Sequence, residues 1–543
     1  MADRYPAQKD YALLIMILLV GAYLRFDGLN TPGLWLDEVS YTTAAQRPIL
    51  SQIIKSTETL GGYLSVDPTL SAVPFSLALK LGFSNFLARF PATVFGILAI
   101  PFFYKLGRTL FGNRAGLVAA LLLSLSGFHI LYSQEARSYT GLVLFSIVSY
   151  LYFYKAITEK NRSNWVVYAL ATWAGVSTSH LMLFTIASQG LGLISIFFRD
   201  LWLSKSNPET IRAALRICST FLLSLLVVGI FRSFWWEDFT QRQCFGCDVG
   251  NPSYPLDLIN SFSRSLDAFT GSSPIIAAGQ ITLCLLGLSL AMYNLPKQGL
   301  LLASWLILSI LATTIGLWLI SQFYHERYTI WGLPAFLLAV AYGIISLANF
   351  TQRLVDRATA SKKRIRVAQL AIVAFILIPL LVNNLDQVRR IPAIKQAWPL
   401  GQLQQASHKI AAEANSQETI IAIGMPAWLL QFYLDLNRPD LIYLDENSFT
   451  ELQTHASLPA ELRGRWYVFP SRAVSNIPDR WVDSLAYWQY NDIIMLHLDD
   501  PCSLAVCLDE TKRLLTEISQ ANPNSPLAAR ISGVMTGLTL LLD

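Results

Sequence analysis

Charge is what this chain has least of. Only 14% of its 543 residues are Asp, Glu, Lys or Arg, while 53% are hydrophobic; a soluble domain carries about a quarter charged. A soluble fold of this length would lack the polar surface to cover itself, and disorder requires a chain poorer in apolar residues. Collagen and coiled-coil compositions are excluded on the same ground. Cysteine is also scarce, with six in the chain, which rules out a small disulfide-built scaffold. What the chain has in excess is long apolar runs, giving a mean hydropathy of +0.42. It reads as a polytopic α-helical membrane protein.

About 20 apolar residues cross a bilayer as a helix. On that measure the chain contains about eleven spans, at 11–26, 89–106, 115–132, 138–155, 163–180, 181–198, 213–232, 274–295, 298–321, 328–349 and 367–383. The first runs into Arg25 and Phe26 with no small-x-small cleavage site, so it is expected to stay as an uncleaved span. With the N-terminus cytoplasmic, the inner loops collect Lys105, Arg108, Arg114, Lys155, Lys160 and the basic cluster 353–366, as the positive-inside rule asks. Residues from 384 onward then lie outside. The reading is an integral protein of a bacterial inner membrane with its working face toward the periplasm; a lumenal site in the endoplasmic reticulum would obey the same physics.

The expected domains are 1–383, spanning the membrane and carrying interfacial helices in its first outer loop (27–88), and an extracytoplasmic α/β domain at 384–543. The tail is net −6, with 12 basic against 18 acidic residues. Short β-rich runs at 419–424, 441–445, 465–470 and 492–498 alternate with helical stretches. Residues 399–414 form an amphipathic pattern through Leu400, Leu403, Ala406 and Ile410. Cys218 and Cys284 fall in spans, as packing residues. Cys244, Cys247, Cys502 and Cys507 fall outside, where Cys244–Cys247 and Cys502–Cys507 disulfides are expected and a redox or metal role for the Cys-x-x-Cys pair stays open. A net charge of +5 spread this way is no nucleic-acid signature.

Chemistry is expected in the outer loops. The loop 27–88 is too long for a plain connection and holds two short apolar stretches, 43–54 and 69–79, suited to the interface. Ahead of them LWLDEVS puts Asp37 and Glu38 beside Trp35, either as a solvated acid pair or as working carboxylates. Arg89 opens the second span, YSQEARSY (132–139) carries Glu135 and Arg137, and His180 sits at the turn of the fifth and sixth spans. YHERY (324–328) carries His325, Glu326, Arg327 and Tyr328. Each alone reads most simply as an interfacial anchor. Together they gather acids and arginines at one membrane face, where carboxylates can take protons and arginines can grip phosphate oxygens.

These residues also carry a resemblance. LR-then-LDE around 24–38, the run from DPTLSAVPFSLAL through to ILYSQEARSY, and ERYTIWGLPAF at 326–336 resemble the GT-C membrane glycosyltransferases of family 39, the protein-mannosyltransferase and aminoarabinose-transferase type. The likeness covers roughly 11–350 and departs at Asp67-Pro68, where many members carry His-Pro-Pro. It implies a GT-C fold, a polyprenyl-phosphate sugar donor, transfer on the outer face, and the first-loop acid Asp37 as catalytic base. A positioned carboxylate is worth about 10²–10⁴ in rate by taking the acceptor proton. Arginines aimed at the departing phosphate stabilise its growing charge. No general acid is needed, and single displacement inverts the anomeric carbon.

On this reading Glu38 orients Asp37 or touches the acceptor. Arg89, Arg137 and Arg327 are candidates for the donor phosphate, with Arg327 and Arg89 preferred. Lys80 is a further one, reaching a headgroup by snorkelling. Glu135, His180, Glu326 and Tyr328 are candidates for substrate contact. Arg25 reads equally as anchor or site residue. Asp37, Glu38, Glu135 and His180 could together hold a divalent metal ion, though no spacing demands one. The acceptor stays open among protein, lipid and polysaccharide, and the outer domain is expected to be structural or acceptor-facing. Two other classes compete: a flippase or transporter for the lipid-linked sugar, for which the sequence shows no internal repeat, and a glycan-sensing membrane protein.

Overall fold

The computed structural model of the chain describes residues 8–46, 69–159, 161–203, 208–233, 255–271, 273–319, 325–358, 362–396, 403–415, 418–422, 433–434, 442–444, 461–462, 465–470, 486–489, 493–498 and 502–521. The chain forms two compact units: Met1–Leu29 with Ala44–Ile391, and Asn30–Thr43 with Pro392–Asp543.

The first unit is helical. Its helices are α1 (Gln8–Phe26), then, beyond α2 (Leu36–Gln46), which is divided between the units after Thr43, α3 (Val73–Leu79), α4 (Asn85–Phe111), α5 (Asn113–Leu125), α6 (Gly127–Ser133), α7 (Tyr139–Thr158), α8 (Ser163–Thr178) and α9 (Met182–Leu203). They continue as α10 (Pro208–Ser233), α11 (Pro255–Thr270), α12 (Pro274–Asn294), α13 (Pro296–Leu319), α14 (Leu333–Ala358) and α15 (Lys362–Gln396). A 3₁₀ turn, Thr69–Ala72, leads into α3, and another, Glu326–Gly332, leads into α14. The division between units falls within α15, after Ile391.

Each of the eleven apolar stretches is helical along nearly its whole length. Among the described residues seven helices pass as membrane spans by length and composition, or eight if a bent pair counts as one. The expected span 115–132 is not one straight rod: it breaks at Ser126 into α5 and α6, bent by 58°. The last span runs past 383 to Gln396. Of the two interfacial stretches, 43–54 is described only to Gln46, and 69–79 is the 3₁₀ turn with α3.

Local sequence explains the ends. Ser84 caps α4 by accepting from the Leu87 amide at 3.1 Å, and Gly112, at φ 92°, turns the chain into α5, a left-handed conformation that suits glycine. Lipid gives helices no hydrophobic reason to associate, so close packing and interhelical hydrogen bonds do that work. Gly107 faces Gly116 so closely that a Cβ there would lie 2.9 Å from the Gly116 Cα. Between α7, α8 and α9, Gln189 donates to Ser149 at 2.8 Å and accepts from Tyr168 at 3.0 Å, while Ser149 and Thr172 share a bond of 3.1 Å. The deepest amide of the apolar runs thus joins three helices.

In the second unit α16 (Leu403–Glu413) buries Leu403, Ala406 and Ile410. The strands β1 (Thr419–Ala422), β2 (Ile442–Leu444), β3 (Glu461–Leu462), β4 (Arg465–Pro470), β5 (Ala486–Gln489), β6 (Ile493–Leu498) and β7 (Cys502–Ser503) precede α17 (Leu504–Ala521). Five of them form a mixed sheet in the order β2-β1-β4-β6-β5, with β1 parallel to β2 and β4, and β6 antiparallel to β4 and β5. Its core holds Ile420, Trp466, Val468, Met495, Leu514 and Ile518. Cys244 and Cys247 lie outside the described residues, as do the side chains of Cys502 and Cys507; Cys218 and Cys284 are free thiols.

The glycines of α12 supply a test. A Cβ on Gly287 would run into the Ala339 carbonyl of α14, whereas one on Gly279 meets nothing within 4 Å. Gly287→Val is expected to cost about 1–3 kcal/mol or more through overpacking, and Gly279→Ala to be neutral or stabilising by up to about 1 kcal/mol. Thermal melts in detergent check both; equal effects would mean α12 and α14 do not pack at Gly287.

Candidate active site

The break between α5 and α6 exposes a physical problem. The last carbonyls of α5 have no helical partners, and inside an apolar bundle no water replaces them. Arg25, fully buried at the end of α1, supplies the donors. Its guanidinium donates to Ser124 O at 3.0 Å, Leu123 O at 3.1 Å and Gly21 O at 2.8 Å, and lies 2.7 Å from His129 Nδ1. Since arginine only donates, the ring presents Nδ1 as acceptor. The cap is returned: Gln134, just beyond α6, donates to Leu24 O at 3.0 Å and Asp27 O at 2.8 Å at the end of α1. Thr93 donates to Ser133 O at 2.8 Å, and Thr140 to Ala92 O at 2.7 Å. A Cβ on Gly96 would run into Ser133. The loop from Ser133 to Ser138 is therefore held from α1, α4 and α7.

That loop carries two of the expected site residues. Glu135 is fully buried and Arg137 is 8% exposed. The 3₁₀ turn before α14 brings Arg327 to them: its Nη1 lies 4.0 Å from Glu135 Oε1. One ring links the two arginines. The guanidinium carbons of Arg137 and Arg327 lie 5.6 and 5.7 Å from the centroid of buried Tyr139, and Arg327 is also 5.5 Å from the Tyr328 ring. Tyr132 packs edge-on against Tyr139 at 5.3 Å. Cation–π attraction holds both arginines against the Tyr139 ring, and a guanidinium there is suited to grip an anion.

The other expected residues have contacts of their own. Arg89 is fully buried and donates to Leu29 O at 3.0 Å. Glu326 accepts from Arg264 of α11 at 2.6 Å and lies 3.5 Å from His325 Nδ1. Lys80 is exposed at the end of α3, and His180 is half-buried at the turn between α8 and α9. Asp37 and Glu38 belong to the second unit, in the first turn of α2. Glu38 is buried and its Oε2 accepts from the Trp35 amide at 3.3 Å, reaching back to the helix start as in a capping box; Asp37 beside it is half-buried. Among the described residues no group of three or more His, Cys, Asp or Glu could hold a metal ion.

Sequence reading missed Gln134, Tyr139 and Arg264. The Ser126-Gly127 step inside the apolar run was the local signal for a break, and a break within a span calls for a donor such as Arg25.

Comparison with known proteins follows from this fold. Residues 68–226 match the family model for dolichyl-phosphate-mannose-protein mannosyltransferase, a segment that holds Arg89, Glu135, Arg137 and His180. The fold is shared with the crystal structure of apo ArnT from Cupriavidus metallidurans, 16% identical with TM-score 0.55 over 90% of this chain and 98% of that one. ArnT bound to undecaprenyl phosphate is 15% identical, with TM-score 0.56 over the same shares. The archaeal oligosaccharyltransferase AglB from Archaeoglobus fulgidus, in complex with an inhibitory peptide and a dolichol-phosphate, is 12% identical, with TM-score 0.52 over 86% and 70%. No curated protein sequence matches the chain. The chain thus shares the fold of these membrane glycosyltransferases, and residues 68–226 resemble the mannosyltransferase family model.

The reciprocal caps can be measured. Arg25→Met and Gln134→Leu are each expected to cost about 1–3 kcal/mol, as buried carbonyls lose their donors. The double variant should cost less than the sum, since both act on one junction. Strict additivity in detergent melts would show that the caps are independent.

Proposed function

We propose that the protein transfers a sugar from a polyprenyl-phosphate-linked donor to an acceptor hydroxyl on the extracytoplasmic face of the membrane, inverting the anomeric carbon, with Asp37 as general base. The observation that carries this reading is the cluster of Arg137 and Arg327 around the buried Tyr139 ring beside Glu135. It lies where a membrane helix ends, in a chain whose fold is that of ArnT and AglB, both solved with a polyprenyl-type phosphate bound.

The chemistry runs as follows. The acceptor hydroxyl gives its proton to the Asp37 carboxylate as its oxygen attacks the anomeric carbon. The bond from that carbon to the phosphate oxygen breaks, and the electron pair leaves with the lipid phosphate. Arg137 and Arg327 receive the added negative charge, and exclusion of water strengthens their hold. Glu135 keeps the Arg327 guanidinium in place, and Glu38 orients the turn that bears Asp37. A bacterial inner membrane, with the site toward the periplasm, is the setting that the positive-inside pattern favours. Protein, lipid headgroup and polysaccharide are all acceptors of the required chemistry.

Two variants test the roles separately. Asp37→Asn should lower release of lipid phosphate from a labelled polyprenyl-phosphate sugar by about 10²–10⁴ while the donor still binds. Arg327→Lys should raise the donor KM by about tenfold, because a charged hydrogen bond is lost. Release by Asp37→Asn at the wild-type rate would remove Asp37 as the base.

A further inference from the structure

The base proposed above stands in the second unit, and what holds it there comes from the far end of the chain. Resting on that reading of Asp37, we infer that Tyr433 and Lys395 are positioning residues for its carboxylate, so that the C-terminal unit takes part in the transfer reaction.

An eleven-residue helix such as α2 is too short to hold its own shape in water, where about 12–15 residues are marginal. Its first turn must be set from outside. Backbone groups just ahead of Asp37 are tied down one after another. The Lys395 ammonium, 1% exposed, donates to Thr31 O at 3.1 Å. The hydroxyl of Tyr433, 2% exposed, accepts from Leu34 N at 2.9 Å and donates to Leu34 O at 3.1 Å. Trp35 N donates to Glu38, and Trp35 O accepts from Val39 N at 2.9 Å. Leu34 and Tyr433 are 399 residues apart in sequence.

The chemistry of the two side chains fits positioning. One phenol oxygen satisfies both backbone groups of a single buried residue, which fixes the peptide planes on either side of Leu34; phenylalanine can do neither. A buried ammonium is costly unless bonded, so Lys395 ties its own burial to the place of Thr31. With Leu34 and Glu38 buried and Asp37 half-buried, this anchoring selects which acid of the pair is presented. A misplacement of about 1 Å at a reacting group can lower the rate by about 10²-fold.

The test uses the full chain in detergent and follows lipid phosphate release from a labelled polyprenyl-phosphate sugar. Tyr433→Phe, Lys395→Met and Lys395→Arg are made in the wild-type and Asp37→Asn backgrounds, each with a thermal melt. Tyr433→Phe should lower kcat by about 10- to 100-fold and leave the donor KM within about twofold, because the hydroxyl it removes bonds the Leu34 backbone. Lys395→Arg, which keeps a donor, should retain more of kcat than Lys395→Met. Added to Asp37→Asn, Tyr433→Phe should change the residual rate by less than about twofold. An unchanged kcat in Tyr433→Phe, or the same loss in both backgrounds, would overturn the inference while leaving Asp37 as base. Wild-type release by Asp37→Asn would instead overturn the reading beneath it. If Tyr433→Phe does not fold, the Lys395 pair decides: equal loss in Arg and Met variants, or loss undiminished by Asp37→Asn, counts against positioning.

Discussion

A helix that stops inside an apolar bundle leaves carbonyls that only the protein can satisfy, and that constraint organises the membrane unit. The stop between α5 and α6 is met by the fully buried Arg25, whose guanidinium bonds the last turn of α5. A positive charge at a helix C-terminus is favoured by the helix dipole as well. Gln134 closes the junction from the other side, on the end of α1. Through this exchange the loop after α6 is bonded to the end of α1 and to α4, and it carries a carboxylate and an arginine.

The loop also places cations where little water reaches them. Tyr139 takes Arg137 and Arg327 on its ring, at 5.6 and 5.7 Å, and the Glu135 carboxylate stands by Arg327 at 4.0 Å. In the proposed reaction the two guanidiniums meet the lipid phosphate, first as the donor's linkage and then as the leaving group. Preorganised charge of this kind needs no rearrangement at the moment the bond breaks.

Hydropathy made the helices legible, because a span of about 20 apolar residues leaves little ambiguity; every stretch read from the chain is helical. The strands at 419–422, 442–444, 465–470 and 493–498 were legible from their β-branched and aromatic runs, whereas β5, with Ala486 and Gln489 at its ends, was not. Glu135, Arg137 and Arg327 stood out as charges next to apolar runs. The role of Tyr139 did not, since an aromatic beside a span is ordinarily core or interface. Long-range partners left no local trace: nothing near 433 or 395 announces a bond to residues 34 and 31, and Arg264 looks like any charge on an amphipathic helix. Glu326, read as a substrate contact by its place in ERY, is bonded to Arg264.

The central claim is that Arg137 and Arg327 form the seat of the donor phosphate. The most direct measurement is photolabelling of the purified protein by a polyprenyl phosphate carrying a diazirine next to its phosphate, with the labelled peptides mapped by mass spectrometry. The account predicts label within 132–139 and 325–332, displaced by unlabelled polyprenyl phosphate and lost in the Arg137→Ala/Arg327→Ala double variant. Displaceable label that maps elsewhere, or survives in that variant, would contradict it.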